Sequence, residues 1–291
     1  MSKGYTIGRI LLTILLSFFM AAFILTSSVA PFLSNSGIYT DIIREEKLAD
    51  KVYTSIEDDF KKQYNTTAIP AEVYMDAIST EWIEDEMCRR IGIYLDDING
   101  IEADYAINYK ELEESITSFF HEYAESINYT PDEAFDKKLS ETITNATSTI
   151  NNRMDAFYMK TISRNNAVQT VAKYLSPIKW LLFAAIIIIS FVFAFLERTR
   201  NARRLYWIGT GFFCGSALTA IPCVYLLCTG AVSSFAVKDP TTYTAVTTLL
   251  NNGIWSVIAR SIVYGVVGII AITICVVMSR KPEKLEEKSK E

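Results

Sequence analysis

Residues 177–196 read PIKWLLFAAIIIISFVFAFL. A bilayer core is about 30 Å thick, so a helix crossing it needs roughly 20 mostly apolar residues. Within this stretch the run Ala184-Ala185-Ile186-Ile187-Ile188-Ile189 leaves no polar face. A buried helix of a soluble protein rarely stays apolar on every side for so long. Three other stretches share the character: Ile10 to about Leu33, Leu205 to about Val232, and about Ile254 to Met278. None carries a Lys, Asp or Glu in its interior. The expected fold class is all-α, a four-span integral membrane protein with an extracytoplasmic four-helix bundle between spans one and two. Residues 1–34 form an N-terminal transmembrane anchor in this reading. Residues 35–175 form an acidic helical domain, 176–280 a three-helix transmembrane region, and 281–291 a charged tail.

Orientation follows from the Lys and Arg residues that flank the spans. Lys3 and Arg9 precede span one, and Arg198, Arg200, Arg203 and Arg204 crowd the turn after span two. Arg280, Lys281 and Lys284 follow span four, whereas the connection 233–252 holds only Lys238. The expected localisation is the cell membrane, multi-pass, with both termini and the arginine turn cytoplasmic. Residues 35–175 and 233–252 then lie outside. The basic start and Ser28-Val29-Ala30 also resemble a cleavable secretion signal. The apolar stretch exceeds the usual length of such a signal and Pro31 follows the site, so an uncleaved anchor is expected.

Residues 35–175 hold 27 acidic and 14 basic side chains, a net of −13. The whole chain is −5, so the remainder carries +8. An acidic exterior argues against nucleic acid as a partner, since a phosphate backbone needs clustered Lys and Arg. The acid lies early: residues 142–175 contain only Asp155 against Arg153, Lys160, Arg164 and Lys173. Cys88 is the single cysteine of this segment, which excludes an internal disulfide there. Cys214, Cys223, Cys228 and Cys275 fall in spans three and four without metal-site spacing. No metal site and no cofactor is expected.

Helical spacing recurs throughout the acidic segment. Ile42, Ile43, Leu48, Val52, Ile56 and Phe60 mark the first element. Pro70 opens the second, which runs past Trp82 and Met87 to Ile91 and ends at Gly92 and the turn 96–100. Asn108 and Glu111 suit a capping box for the third, with the stripe Tyr109, Leu112, Ile116, Phe119, Tyr123 and Ile127. Thr130, Pro131 and Glu133 suit the start of the fourth. Its stripe, from Phe135 to Ile162, predicts a helix of over 30 residues, about 45 Å long, continuing nearly to Pro177. Trp82, Phe119, Phe120, Tyr123, Phe157 and Tyr158 are the expected centre of the core. A ligand cleft between helices is the other use of such a set.

Chemical motifs are scarce. Asp97, Asn99 and Gly100 suggest a calcium loop, but its first and twelfth positions are then Leu95 and Ala106, where carboxylates are needed. The helical group Glu81, Glu84, Asp85 and Glu86 reads as solvated charge, with Arg89 and Arg90 pairing Asp85 and Glu86. The Asn-x-Thr triplets at Asn65, Asn128 and Asn145 mark surface positions only in a cell that glycosylates them, and glycans are not expected. His121, the only histidine, is expected at the bundle surface. Hydrolase, transferase and phosphate-loop signatures are absent, and an enzyme is not expected.

Within the spans, Gly211-x-x-x-Gly215 and Ser261-x-x-x-Gly265 are small-residue faces that let helices approach closely. Their simplest use is packing spans three and four together, and homo-oligomer formation is the second. Pro222 removes a backbone hydrogen bond within span three. Arg260 is the lone charge near a span interior, read as snorkelling to the interface or as a functional charge. Residues 240–259 have a second reading as an interfacial helix, with span four starting at Ser261. The function expected is that of a non-catalytic membrane protein whose external domain binds a protein or cell-envelope component. The alternatives are a transporter or channel subunit, and a sensor that lacks its own output domain.

Overall fold

The computed structural model describes residues 3–102, 107–197 and 201–288. All regular structure among them is helical. In chain order the α-helices are α1 (Lys3–Val29), α2 (Gly37–Glu45), α3 (Leu48–Thr67), α4 (Ala71–Met75), α5 (Thr80–Ile98) and α6 (Lys110–Ser126). There follow α7 (Glu133–Met154), α8 (Met159–Ser163), α9 (Asn166–Leu196), α10 (Asn201–Cys228) and α11 (Pro240–Lys288). The chain forms two compact units. One comprises residues 1–33, 170–235 and 250–291; the other comprises 34–169 and 236–249.

Among the described residues four helices are long and apolar enough to cross a membrane, the candidate spans Thr6–Leu33, Asn166–Leu196, Arg203–Cys228 and Pro240–Met278, and most of each belongs to the first unit. Its core joins Leu16, Met20 and Ile24, one per turn of α1, to Ile186, Ile189 and Phe193 of α9 and Val257 of α11. The faces left uncovered are equally apolar: Trp180, Leu181, Ile188, Phe191 and Phe195 of α9 are all exposed. Several hydroxyls of α1 are satisfied within the helix. Thr13 donates to the Arg9 carbonyl and Ser17 to that of Thr13, both at 2.9 Å. Two boundaries differ from expectation. Pro177 lies inside α9 rather than at its start, and the helix that holds span four begins at Pro240 rather than near Ile254.

The second unit breaks the expected elements where the backbone turns left-handed. Lys47 (φ 49°) separates α2 from α3, and Tyr158 (φ 55°) precedes α8. The second expected element divides at Asp76–Ser79, where Ser79 caps α5 by accepting from the Trp82 amide at 3.0 Å. Helix α5 then runs through Gly92 and stops at Asn99, with Gly100 at φ 75°. Asn99 Nδ2 donates to the Leu95 carbonyl at 2.7 Å, so the acidic turn is a helix end. Asp132, not Thr130, caps α7: its carboxylate accepts from the Phe135 amide at 2.9 Å. The long fourth helix is corrected to 22 residues. It ends because Ala156 and Phe157 turn into the core, and the Asp155 carboxylate accepts from the Lys160 amide at 3.3 Å.

The core also differs from expectation. Phe60 and Tyr74 stack at 4.1 Å and 13°, and Tyr39 meets Phe157 edge-on at 5.3 Å. Ile42, Ile43, Leu48, Ile56, Ile83 and Met87 fill the space around them. Of the expected aromatic centre Phe157 is buried, while Tyr123 and Tyr158 are 59% and 52% exposed. Gly92 sits within α5 with no atom within 4 Å of where a Cβ would be. Gly92→Ala is therefore expected to stabilise α5 by about 0.5–1 kcal/mol, because alanine loses less backbone freedom on folding. Slower hydrogen exchange of α5 amides in the full chain is the readout, and faster exchange would refute the open-space reading.

Candidate functional site

The apolar stripe of α6 outruns the core. Leu112 and Ile116 are buried, but one turn further Phe119 is only half-buried and Tyr123 is exposed. Phe119, Phe120 and Tyr123 instead line an open cleft of about 430 Å³. The end of α3 supplies Gln63, Thr66 and Thr67 to its rim, and α7 supplies Lys138, Glu141, Thr142 and Asn145. Phe119 and Tyr123 are nearly parallel, 12° apart with centroids at 6.4 Å. Ser115 fixes α6 by donating to the Val73 carbonyl at 2.6 Å. Aromatic faces bordered by hydroxyls and amides suit recognition by stacking and directional hydrogen bonds. His121 is exposed and packs on Phe135, with ring centroids at 5.3 Å. Asn65, Asn128 and Asn145 are exposed.

A buried polar network ties α5, α6 and α7. Arg89 grips Glu86 through two bonds of 2.8 Å, and Arg90 Nε donates to the same carboxylate at 2.9 Å. Arg90 also donates to the Tyr109 hydroxyl at 3.0 Å and to the Asn151 side chain. Tyr109 in turn donates to Asn151 at 2.6 Å. Burial pushes the Glu86 carboxyl up, but the bonds from Arg89 and Arg90 outweigh it and hold the group below its ordinary value. The expected pairing of these arginines with Glu86 is seen, and both take the one carboxylate. Beyond the network lies a cavity of about 220 Å³ bordered by Arg89, Arg90, Lys160 and Arg164. Burial pushes the nearby Asp155 carboxyl up. Elsewhere Arg153 grips Asp59 at 2.6 and 2.9 Å and reaches Asp239 at 3.1 Å, fastening residues 236–249 to this unit.

In the apolar unit the small residues serve two partners. A Cβ on Gly211 would lie 2.6 Å from Leu16, and one on Gly215 2.7 Å from the Ser17 carbonyl. Both glycines therefore face α1, whereas the spacing alone paired spans three and four. The α10–α11 contact is made by Thr219 and Ser261, whose hydroxyls lie 2.8 Å apart, and by Gly265 against Ser216. It is closest at Gly209 and Gly268, where a Cβ on either would meet the other's carbonyl at 2.7 Å. Gly209 was missed by the Gly-x-x-x-Gly pattern. Its signal is the neighbouring Gly211: two residues are about 200° apart around a helix, so the pair faces two partners.

Arg260 points its Nη1 at two hydroxyls, those of Ser28 at 3.3 Å and Ser256. Arg9 and Glu197, read from sequence only as flanking charges, form a buried ion pair at 2.5 Å. No local signal joins them. Arg198 and Arg200 lie outside the described residues. Among the described residues no three His, Cys, Asp or Glu side chains converge as a metal site would require.

Fold and sites together define an all-helical protein with four apolar helices of membrane-spanning length and a separate, polar-surfaced helical unit. Comparison of the chain with protein-family models, curated proteins and solved structures finds no match.

Proposed function

We propose that this chain is a non-catalytic, multi-pass membrane protein whose helical unit lies outside the cell and binds a protein or cell-envelope component. The α3/α6/α7 cleft is the binding site in this reading. The observation that carries it is the uncovered half of the α6 stripe. Aromatic side chains with large apolar area favour burial, and here Phe119 and Tyr123 stay open beside a hydroxyl and amide rim. The orientation rests on the excess of Lys and Arg in the connections assigned to the cytoplasm. The span assignment rests on helices that are apolar on their packed and uncovered faces alike.

Two measurements on the full chain in native membranes test this. An impermeant thiol reagent should label Ser140→Cys, at an exposed position of α7, from outside intact cells. Labelling only after lysis would reverse the orientation. A photo-crosslinking residue at Tyr123 should give a discrete adduct that is lost on Phe119→Ser. The same group at exposed Asp50 should give none. Identical products from both positions would remove the cleft from the proposal.

A further inference from the structure

Arg260 lies in α11 within the candidate span Pro240–Met278, immediately before the charge-free stretch 261–278. Among the described residues its hydrogen-bond partners are the Ser28 and Ser256 hydroxyls, both reached from Nη1. Neither is an anion. Ser28 is buried and donates its own proton to the Ile24 carbonyl at 2.8 Å, so its lone pair is held toward the guanidinium. These bonds fix the plane of the side chain and leave its Nε–Nη2 edge unpartnered. That edge is the fork with which arginine takes a phosphate or carboxylate through two parallel bonds. The guanidinium borders an open cavity of about 400 Å³ that it shares with Ser256, Ala259, Val263 and Tyr264. Tyr264 is anchored there by an edge contact with Phe23, centroids 5.9 Å apart. Along the same side of α11, one to four turns further on, Val263, Val267, Ile270 and Ile274 are exposed and purely apolar.

We propose that the Arg260 fork holds the phosphate of a phospholipid headgroup, with the acyl chains lying along the exposed valine and isoleucine face of α11. A charge in an apolar span is costly unless it is paired, and a lipid phosphate supplies the missing anion. Free phosphate offers the same oxygens but nothing for the apolar face. The inference rests on the membrane reading above.

The test is native mass spectrometry of the detergent-solubilised full chain after incubation with phosphatidylglycerol, with diacylglycerol of the same chains, or with inorganic phosphate. Wild type should retain phosphatidylglycerol about tenfold over diacylglycerol, the weight of one bidentate charged contact. Arg260→Gln should abolish the preference. Arg260→Lys, which keeps the charge but not the fork, should retain only part of it. Equal retention of the two lipids by wild type overturns the site, and this needs no variant to fold. So does a preference that survives Arg260→Gln, or phosphate alone binding as well as the lipid. A chain that stays monodisperse without detergent and retains neither lipid fails the membrane reading itself.

Discussion

Glu86→Ala is expected to destabilise the helical unit by about 3–5 kcal/mol, the usual result of leaving a buried charge without its partner. Arg90 retains only 8% of its side-chain exposure, and among the described residues Glu86 is the one carboxylate it touches. Once the carboxylate is gone, Asn151 and Tyr109 still bond the guanidinium, but neither neutralises it. Domains are stable by only about 5–15 kcal/mol in total, so the loss is a large fraction. Hydrogen exchange should accelerate together in α5, α6 and α7, because the network ties all three. Acceleration confined to the turn around residue 86 would show that the network carries no long-range stability.

The same group sets a pH dependence whose sign is fixed. Because the folded Glu86 carboxyl sits below its ordinary value, its contribution is fully present above about pH 4.3, the unfolded value. It is lost as pH falls through the folded value. Asp155 acts oppositely. Burial raises its folded value, so the folded state takes up that proton first and gains stability as pH falls toward the ordinary aspartate range. Wild type should therefore gain slightly on mild acidification and then lose stability steeply. Glu86→Gln should keep the gain and flatten the loss. An unchanged acid slope would mean that other carboxylates govern it.

Gly268→Ala and Gly209→Ala should be the most damaging small substitutions in the apolar unit. Each added methyl meets the partner's backbone carbonyl at 2.7 Å, and backbone cannot swing aside as a side chain can. Overpacking of this kind costs about 1–3 kcal/mol and occasionally more. Gly215→Ala belongs with them, since it meets the Ser17 backbone carbonyl at the same 2.7 Å as well as Met20. Gly211→Ala meets the Leu16 side chain first, and Gly265→Ala finds Ser216 at an ordinary 3.5 Å. Gly8→Ala, with nothing within 4 Å, is the control. Thermal unfolding of the full chain in detergent should follow this order. The Gly209→Ala/Gly268→Ala double should cost less than the sum of the singles, because one methyl already separates the helices. Additive losses, or a harmless Gly268→Ala, would discount the close approach of α10 and α11.

The helix type and the apolar windows were legible because each depends on composition along a single segment. A run such as 184–189 has no polar face whatever its neighbours do. The breaks were less legible. Residues 150–162 keep an apolar rhythm that suits one long helix, yet the chain turns at Asp155–Tyr158 because Phe157 gains more by packing on Tyr39. Periodicity records which side chains want burial but not which direction the core lies in. The candidate cleft was half visible. Phe119 and Tyr123 stood out as a stripe, but only the positions of α3 and α7 show that the stripe ends in open space.

By itself, then, the sequence determined what each segment can be: four apolar helices, an acidic helical stretch between the first two, and a single cysteine within it. Tertiary structure decided which groups meet. It brought Glu86 to Arg90 and Asn151, Arg9 to Glu197, Gly209 to Gly268, and Arg260 to two hydroxyls with its fork left open. The division has one physical cause. Burial preference and helix formation are local free energies, whereas pairing depends on where distant helices pack, and no short stretch of chain encodes that.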